Sequence, residues 1–186
     1  MSRTSVALKP VIYKLNLNLS DLNRQVYQDY NLTIALHPSE TFERMVARIL
    51  AFALNASDQL TLTKGLSTVE EPDLWQKSLD GQTELWIELG EPSVDRVKKA
   101  SRIANRVKVY TFNSKSDVWW LQDQDKFKRL DADFIQFDNE QIQQLASLIT
   151  RTMKWFVTLS ENTASINCEQ GDVDVSWTLL NSQEQQ

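Results

Sequence analysis

The sequence predicts an α+β fold with an α/β core in one domain, on three observations. Alternating apolar and polar residues at both ends of the chain read as antiparallel strands. In the middle, two apolar strands flank a helix, the signature of a βαβ unit with a parallel pair. No linker, repeat or low-complexity tract separates these parts, so residues 1–181 read as one domain and the Gln-rich tail 182–186 as a disordered end.

The elements follow in order. Val11 to Leu19 alternates as a half-buried strand, and the turn-prone Ser-Asp-Leu-Asn-Arg leads into a partner strand from Val26 to Leu36. His37-Pro38-Ser39 ends this hairpin, because proline cannot donate to a ladder and biases its predecessor away from helix. Ser39 is the expected cap of a helix running to about Asn55, with Phe42, Met45, Val46, Ile49, Leu50 and Ala53 as its apolar face. Leu60 to Leu62 is a short strand ending at Lys64-Gly65. Glu70 to Trp75 reads as a helix start, with Pro72 in the first turn and acids around it.

After a turn at Asp80-Gly81, Thr83 to Leu89 is a strand and Gly90-Glu91-Pro92 a loop. Ser93 caps a helix of about Val94 to Asn105, and Val107 to Phe112 is the parallel strand that follows. Ser114 to Gln122 is expected helical, Phe134 to Phe137 a strand and Asn139 to Ile149 a helix. Trp155 to Leu159, Ser165 to Asn167 and Val173 to Leu179 are three short antiparallel strands.

Bulk properties narrow the function classes. With 186 residues, 41% of them hydrophobic and 24% charged, the chain can bury a core without disulfides or a structural metal. One cysteine, Cys168, excludes an internal disulfide and a cysteine-based zinc cluster. The first residues lack the apolar run of a secretion signal, so a cytoplasmic location is the default expectation, with no membrane association. A net charge of −5 gives no long-range attraction for nucleic acid, so a phosphodiester would need a local cation. The six tryptophans are read mainly as core.

The chemistry-bearing candidates cluster around the central strand. Its pleat sends Glu84, Trp86 and Glu88 to one face and Leu85, Ile87 and Leu89 to the other. Residues four apart on a strand lie about 13 Å apart at Cα, so both glutamates do not fit one metal's first shell and one must pair with an acid from elsewhere. Glu43, at the border of the first helix's apolar stripe, is the candidate third acid, whereas Glu40 points the opposite way. Glu71 and Asp73 are further candidates, with helix capping as their favoured role. On the next helix Lys98 falls beside the packed stripe and Lys99 toward solvent; a lysine there can position a water or stabilise charge developing on a phosphate. The competing reading is a solvated strand face beside a surface lysine. His37 is read as a turn group. Of Trp119-Trp120 one ring is expected buried and the other half exposed, with base stacking as the less favoured use.

Five stretches taken together resemble the YaeQ family of bacterial proteins: 37–45 (HPSETFERM), 84–90 (ELWIELG), 96–100 (RVKKA), 110–114 (YTFNS) and Trp119-Trp120. The resemblance covers nearly the whole chain. It implies a compact variant of the PD-(D/E)XK, restriction-endonuclease-like fold: a mixed sheet flanked by helices, with an N-terminal hairpin and C-terminal antiparallel strands. It also implies acids on the sheet that hold Mg²⁺, an assisting lysine and a DNA or RNA substrate. Carried over, Glu88-Leu89-Gly90 falls at the E-x-K position without its lysine, which Lys98 would replace. Glu84 or an acid from 71–80 takes the aspartate position, and Glu43 is the first-helix acid. The expected set is therefore Glu43, Glu84, Glu88 and Lys98, with Glu84 and Glu88 on the metal. The alternative is a non-catalytic interaction or regulatory protein that retains the fold.

Overall fold

In the computed structural model, which describes residues 8–64, 66 and 69–181, the first hairpin is longer than its apolar pattern. Strands β1 (Val11–Asp21) and β2 (Val26–Leu36) pair antiparallel from Val11↔Leu36 to Asp21↔Val26. Asp21 extends the hairpin because its Oδ1 accepts from the backbone N–H groups of Asn23 and Arg24, closing the turn. His37 also serves a turn, its Nδ1 accepting from the Ser39 N–H at 3.1 Å.

Helix α1 (Phe42–Asn55) is capped by Thr41, whose side chain accepts from the Arg44 N–H, and not by Ser39. The expected apolar stripe is too narrow. Every residue from Met45 to Ala53 is buried, Ala47, Arg48, Ala51 and Phe52 included, while Phe42 is exposed. A helix buried all round is enclosed by its neighbours rather than laid on a surface.

The enclosing wall is one ten-stranded sheet. It continues through β3 (Leu60–Leu62), β4 (Leu74–Lys77), β5 (Thr83–Leu89), β6 (Ala104–Thr111), β7 (Asp133–Phe137), β8 (Thr152–Ser160), β9 (Thr163–Cys168) and β10 (Gly171–Leu179). Strand order is β2-β1-β8-β9-β10-β7-β6-β5-β4-β3, nearly closed and barrel-like. β5 and β6 are parallel, joined by α2 (Val94–Ile103), as the βαβ pattern predicts. Parallel pairing of β1 with β8 brings the N-terminal hairpin onto the three C-terminal strands. Helix α3 (Ser116–Phe127) lies between β6 and β7, and α4 (Asn139–Ala146) packs against α1 and β10.

A further expectation fails. The stretch read as a helix start at Glu70–Trp75 enters strand β4, which pairs antiparallel with β5 and β3. Proline beside acids fits a helix N-terminus, but it fits the first extended residues of a strand as well, and pairing on both sides decides the outcome. The helix after Ser93 is also two residues shorter than expected, since Ala104 and Asn105 already belong to β6. Gly65 and the 182–186 tail lie outside the described residues.

The pleat of β5 divides two cores. Leu85, Ile87 and Leu89 join the interior around α1, whereas Trp86 joins a second cluster with Val97, Val109, Trp120, Phe127 and Phe134 under α2 and α3. Trp119 is half-buried against Phe127, ring centroids 4.8 Å apart, and its Nε1 donates to the Pro92 carbonyl at 2.9 Å. That bond holds the β5–α2 loop against α3 and engages the ring's polar edge.

Candidate functional site

At the C-terminal end of β5 the first turns of α1 and α2 and the start of β4 border one cavity of about 710 Å³. Its lining includes Glu43, Arg44, Glu71, Asp73, Glu88, Glu91 and Arg96, with Asn113, Ser114, Asn139 and Gln143 opposite. Five carboxylates thus face two guanidinium groups, so the cavity is locally acidic.

Asp73 and Glu88 form its floor. Leu74 pairs with Ile87, and Asp73, just before β4, donates its N–H to the Ile87 carbonyl at 3.0 Å, which sets it beside Glu88. Both are buried, Asp73 at 4% and Glu88 at 5% exposure. Buried carboxylates require donors, and each has them. Asp73 Oδ2 accepts from the Leu89 N–H at 2.8 Å, and its Oδ1 accepts from Arg44 Nη2. Glu88 Oε1 accepts from Trp86 Nε1 and from Arg96 Nε, both at 2.8 Å. These two donors converge on one oxygen, and Oε2 takes part in neither bond.

Burial pushes the Glu88 carboxyl above the usual range; Arg96 pulls it down and the neighbouring Asp73 pushes it up again. Glu91 is raised as well, chiefly by burial, against the opposing pull of Asn113 and Lys115. Behind the cavity, Arg44 also reaches Glu40 at 3.2 Å, and the fully buried Arg48 grips both Glu40 oxygens at 2.7 and 2.9 Å. Glu40 therefore turns inward, contrary to its expected outward direction, because two arginines of α1 await it.

The expected site residues separate. Glu43 and Glu88 line this cavity. Glu84 lines a different one with Lys77, Ser78 and Asp80, and accepts from Gln76 Nε2 at 2.8 Å. Lys98 is exposed and absent from the lining, so the structure brings neither it nor Glu84 to Glu88. The cation beside Glu88 is Arg96, in the first turn of α2; Lys98 and Lys99 sit further along a helix that runs away from the strand end. Asp73, read as a capping residue, is the carboxylate that actually faces Glu88.

The missing lysine has a backbone reason. Gly90, at the third position of Glu88-Leu89-Gly90, has φ +101°, while a Cβ there would meet nothing within 4 Å. Strain rather than space bars a side chain.

Of the carboxylates in the cavity, Asp73 and Glu88 are the two that could serve a hard divalent cation, which takes one or two such groups plus water. Among the described residues no three His, Cys, Asp or Glu side chains group as a metal cluster, so an ion here would complete its shell with water. Among the described residues no helix is long and apolar enough to cross a membrane.

Comparison with known proteins places the chain among relatives over most of its length. The family profile described as YaeQ protein matches residues 6–177. The "Uncharacterized protein YaeQ" of Escherichia coli (strain K12) is 37% identical over 177 residues, covering 93% of this chain and 97% of that one. Its Salmonella typhi counterpart is 37% identical over the same shares. Among solved structures, the YaeQ protein of Xanthomonas axonopodis pv. citri superposes with a TM-score of 0.90 at 32% identity, covering 94% of this chain and 99% of that one. The Pseudomonas syringae YaeQ protein gives 0.89 at 38%, covering 94% and 97%. With its sequence matched nearly end to end and its fold superposing on YaeQ crystal structures, this chain belongs to the YaeQ family.

Proposed function

We propose that the Asp73–Glu88 cavity is the site of a Mg²⁺-dependent, nuclease-like phosphodiesterase acting on DNA or RNA. The observation that carries this reading is the pair of buried, neighbouring carboxylates at the entry to β4 and the end of β5, in a cavity that Glu43 also lines. Pro72-Asp73 followed by Glu88-Leu89-Gly90 reproduces the PD-(D/E)XK letters up to the lysine, and Glu43 stands on the first helix. Asp73 takes the aspartate position, in place of Glu84.

The residues fit a hard cation in kind, being carboxylate oxygens, and the cavity's acidity gives it a reason to bind one. A phosphodiester entering five carboxylates meets repulsion that a divalent ion would offset, and such an ion, once bound, would polarise the phosphoryl group. Glu88 would hold it through Oε2, with Asp73 beside it. Arg96 supplies a permanent positive charge where the pattern has a lysine, but its guanidinium does not release a proton near neutral pH. Its part is then electrostatic, stabilising negative charge on phosphate oxygens.

Mn²⁺ and Mg²⁺ titration by calorimetry, together with cleavage of mixed single- and double-stranded nucleic acids, tests the proposal. Absence of metal binding, or cleavage that survives Glu88→Ala, would sink it.

A second reading, a non-catalytic interaction protein, is favoured by two other observations. Each candidate ligand already has an arginine partner, and Val118 and Leu121 of α3 are exposed, 68% and 67%, away from the carboxylates. It predicts partners whose capture is unaffected by Glu88→Ala.

A further inference from the structure

Arg96 does more than face Glu88. Its Nε donates to Glu88 Oε1 at 2.8 Å, while Nη1 donates to the Val69 carbonyl at 2.7 Å and Nη2 to the Glu71 carbonyl at 3.0 Å. All three nitrogens of one planar group are therefore committed, one to the cavity floor and two to the backbone entering β4. Val69 and Glu71 also line the cavity. The guanidinium is about one-third exposed, so water can compete for it, whereas Glu88 is buried. Among the described residues, Lys99 also reaches Glu70 at 3.2 Å, in an exposed ion pair of the kind that contributes little.

We propose that Arg96 is a positioning residue, a clasp that couples the carboxylate of Glu88 to the Val69–Glu71 wall of the cavity. The coupling follows from the geometry of the fork. A guanidinium is rigid and planar, so its three bonds are satisfied together or compromised together. When Glu88 loses its charge or gives it to another cation, the Nε bond weakens and the whole group is freer to leave the two carbonyls. Conversely, release of the wall leaves Glu88 with a mobile partner. A lysine in this place would hold the carboxylate as a point charge and could not tie it to the backbone in the same way.

The expectation that a metal acts through this clasp rests on the divalent-cation reading above, whereas the clasp itself does not. The consequence is that ligand binding at the floor and opening of the wall are linked equilibria, each favouring the other.

The experiment is limited proteolysis by a Glu-specific protease, with nicking after Glu70 followed by mass spectrometry and the melting temperature recorded for each variant. Glu71 precedes Pro72, which protects its own bond. Nicking under these conditions tracks the open fraction of the segment. Glu88→Gln, which removes the charge and keeps the shape, should speed nicking after Glu70 by roughly threefold to tenfold. Arg96→Gln should speed it at least as much, Arg96→Lys should fail to restore the wild-type rate, and Lys99→Gln should leave it near wild type. Mn²⁺ should speed nicking of the wild-type protein and have no effect on Glu88→Gln. Equal nicking of wild type and Glu88→Gln at unchanged melting temperature would overturn the clasp. Faster nicking of Glu88→Gln with no Mn²⁺ effect on wild type upholds the clasp and counts against the metal site instead.

Discussion

Asp73 and Glu88 are neighbours where the chain enters β4 beside the end of β5, and each is gripped by an arginine from a different helix, Arg44 of α1 and Arg96 of α2. The pair joins both helices to the end of the sheet. Changes to any of the four residues should therefore be felt both in the cavity and in the fold.

Glu88→Gln separates these effects through pH. The folded-state pKa of Glu88 is raised, first by burial, so the fold favours its neutral form. Its contribution is then fully favourable below the unfolded carboxyl pKa and is lost as pH rises through the folded value. Glu88→Gln should accordingly gain in melting temperature relative to wild type as pH increases through that window. Paired thermal melts from acid to neutral pH check this; a difference that shrinks with rising pH would contradict it.

Any phosphodiesterase activity should fall by about a hundredfold or more in Asp73→Asn and in Glu88→Gln. Glu84→Gln and Lys98→Gln, which lie outside the cavity, should stay within a few-fold of wild type. Initial rates on a fluorescent oligonucleotide would distinguish the two groups, and equal losses in all four would remove the assignment.

The Glu40–Arg48 pair is buried at both ends. Arg48→Ala leaves the buried Glu40 carboxylate with Arg44 as its remaining cation and should destabilise by up to about 3–5 kcal/mol. Replacing both residues by apolar ones of similar volume should cost far less. Denaturant unfolding of the single and double variants measures the contrast.

Introducing the absent lysine should not help. At φ +101°, Gly90→Lys carries a backbone penalty of about 1–2 kcal/mol. Its melting temperature should drop and cleavage should not rise. A stable, more active variant would show that the loop can rearrange.

Trp119→Phe keeps most of the ring packing and removes the donor to the Pro92 carbonyl, at a cost of about 1 kcal/mol. Trp119→Ala should cost about 3–5 kcal/mol, because the ring packs at a tilt against Trp120, Phe127 and Phe134. Urea midpoints of the two variants compare the bond with the packing.

Much of the fold was legible because period carries it. The alternation of β5 told its two faces apart, and the helix between β5 and β6 announced the parallel pair. Ser93 was readable as a cap because its hydroxyl does accept from the Arg96 N–H. What stayed hidden depends on partners distant in sequence. Pro72-Asp73 fits a helix start or a strand start equally well, and only pairing with β3 and β5 decides. Helical phase favoured Lys98 by its distance from the apolar stripe, but the cavity lies at the first turn of α2, within reach of Arg96 alone among these cations. Arg48, set in a run of apolar residues, was the one local sign that Glu40 faces inward.

The parallel pairing of β1 with β8 also sets an order of assembly. Asn23 and Glu161 meet at the sheet's seam although they are 138 residues apart. A nascent chain emerging from the ribosome would thus carry its first hairpin for most of translation with one edge unsatisfied. Such edges invite pairing with other chains, and contacts this distant form slowly. Closure of the wall must therefore wait for the strands from residue 152 onward, which cover that open edge.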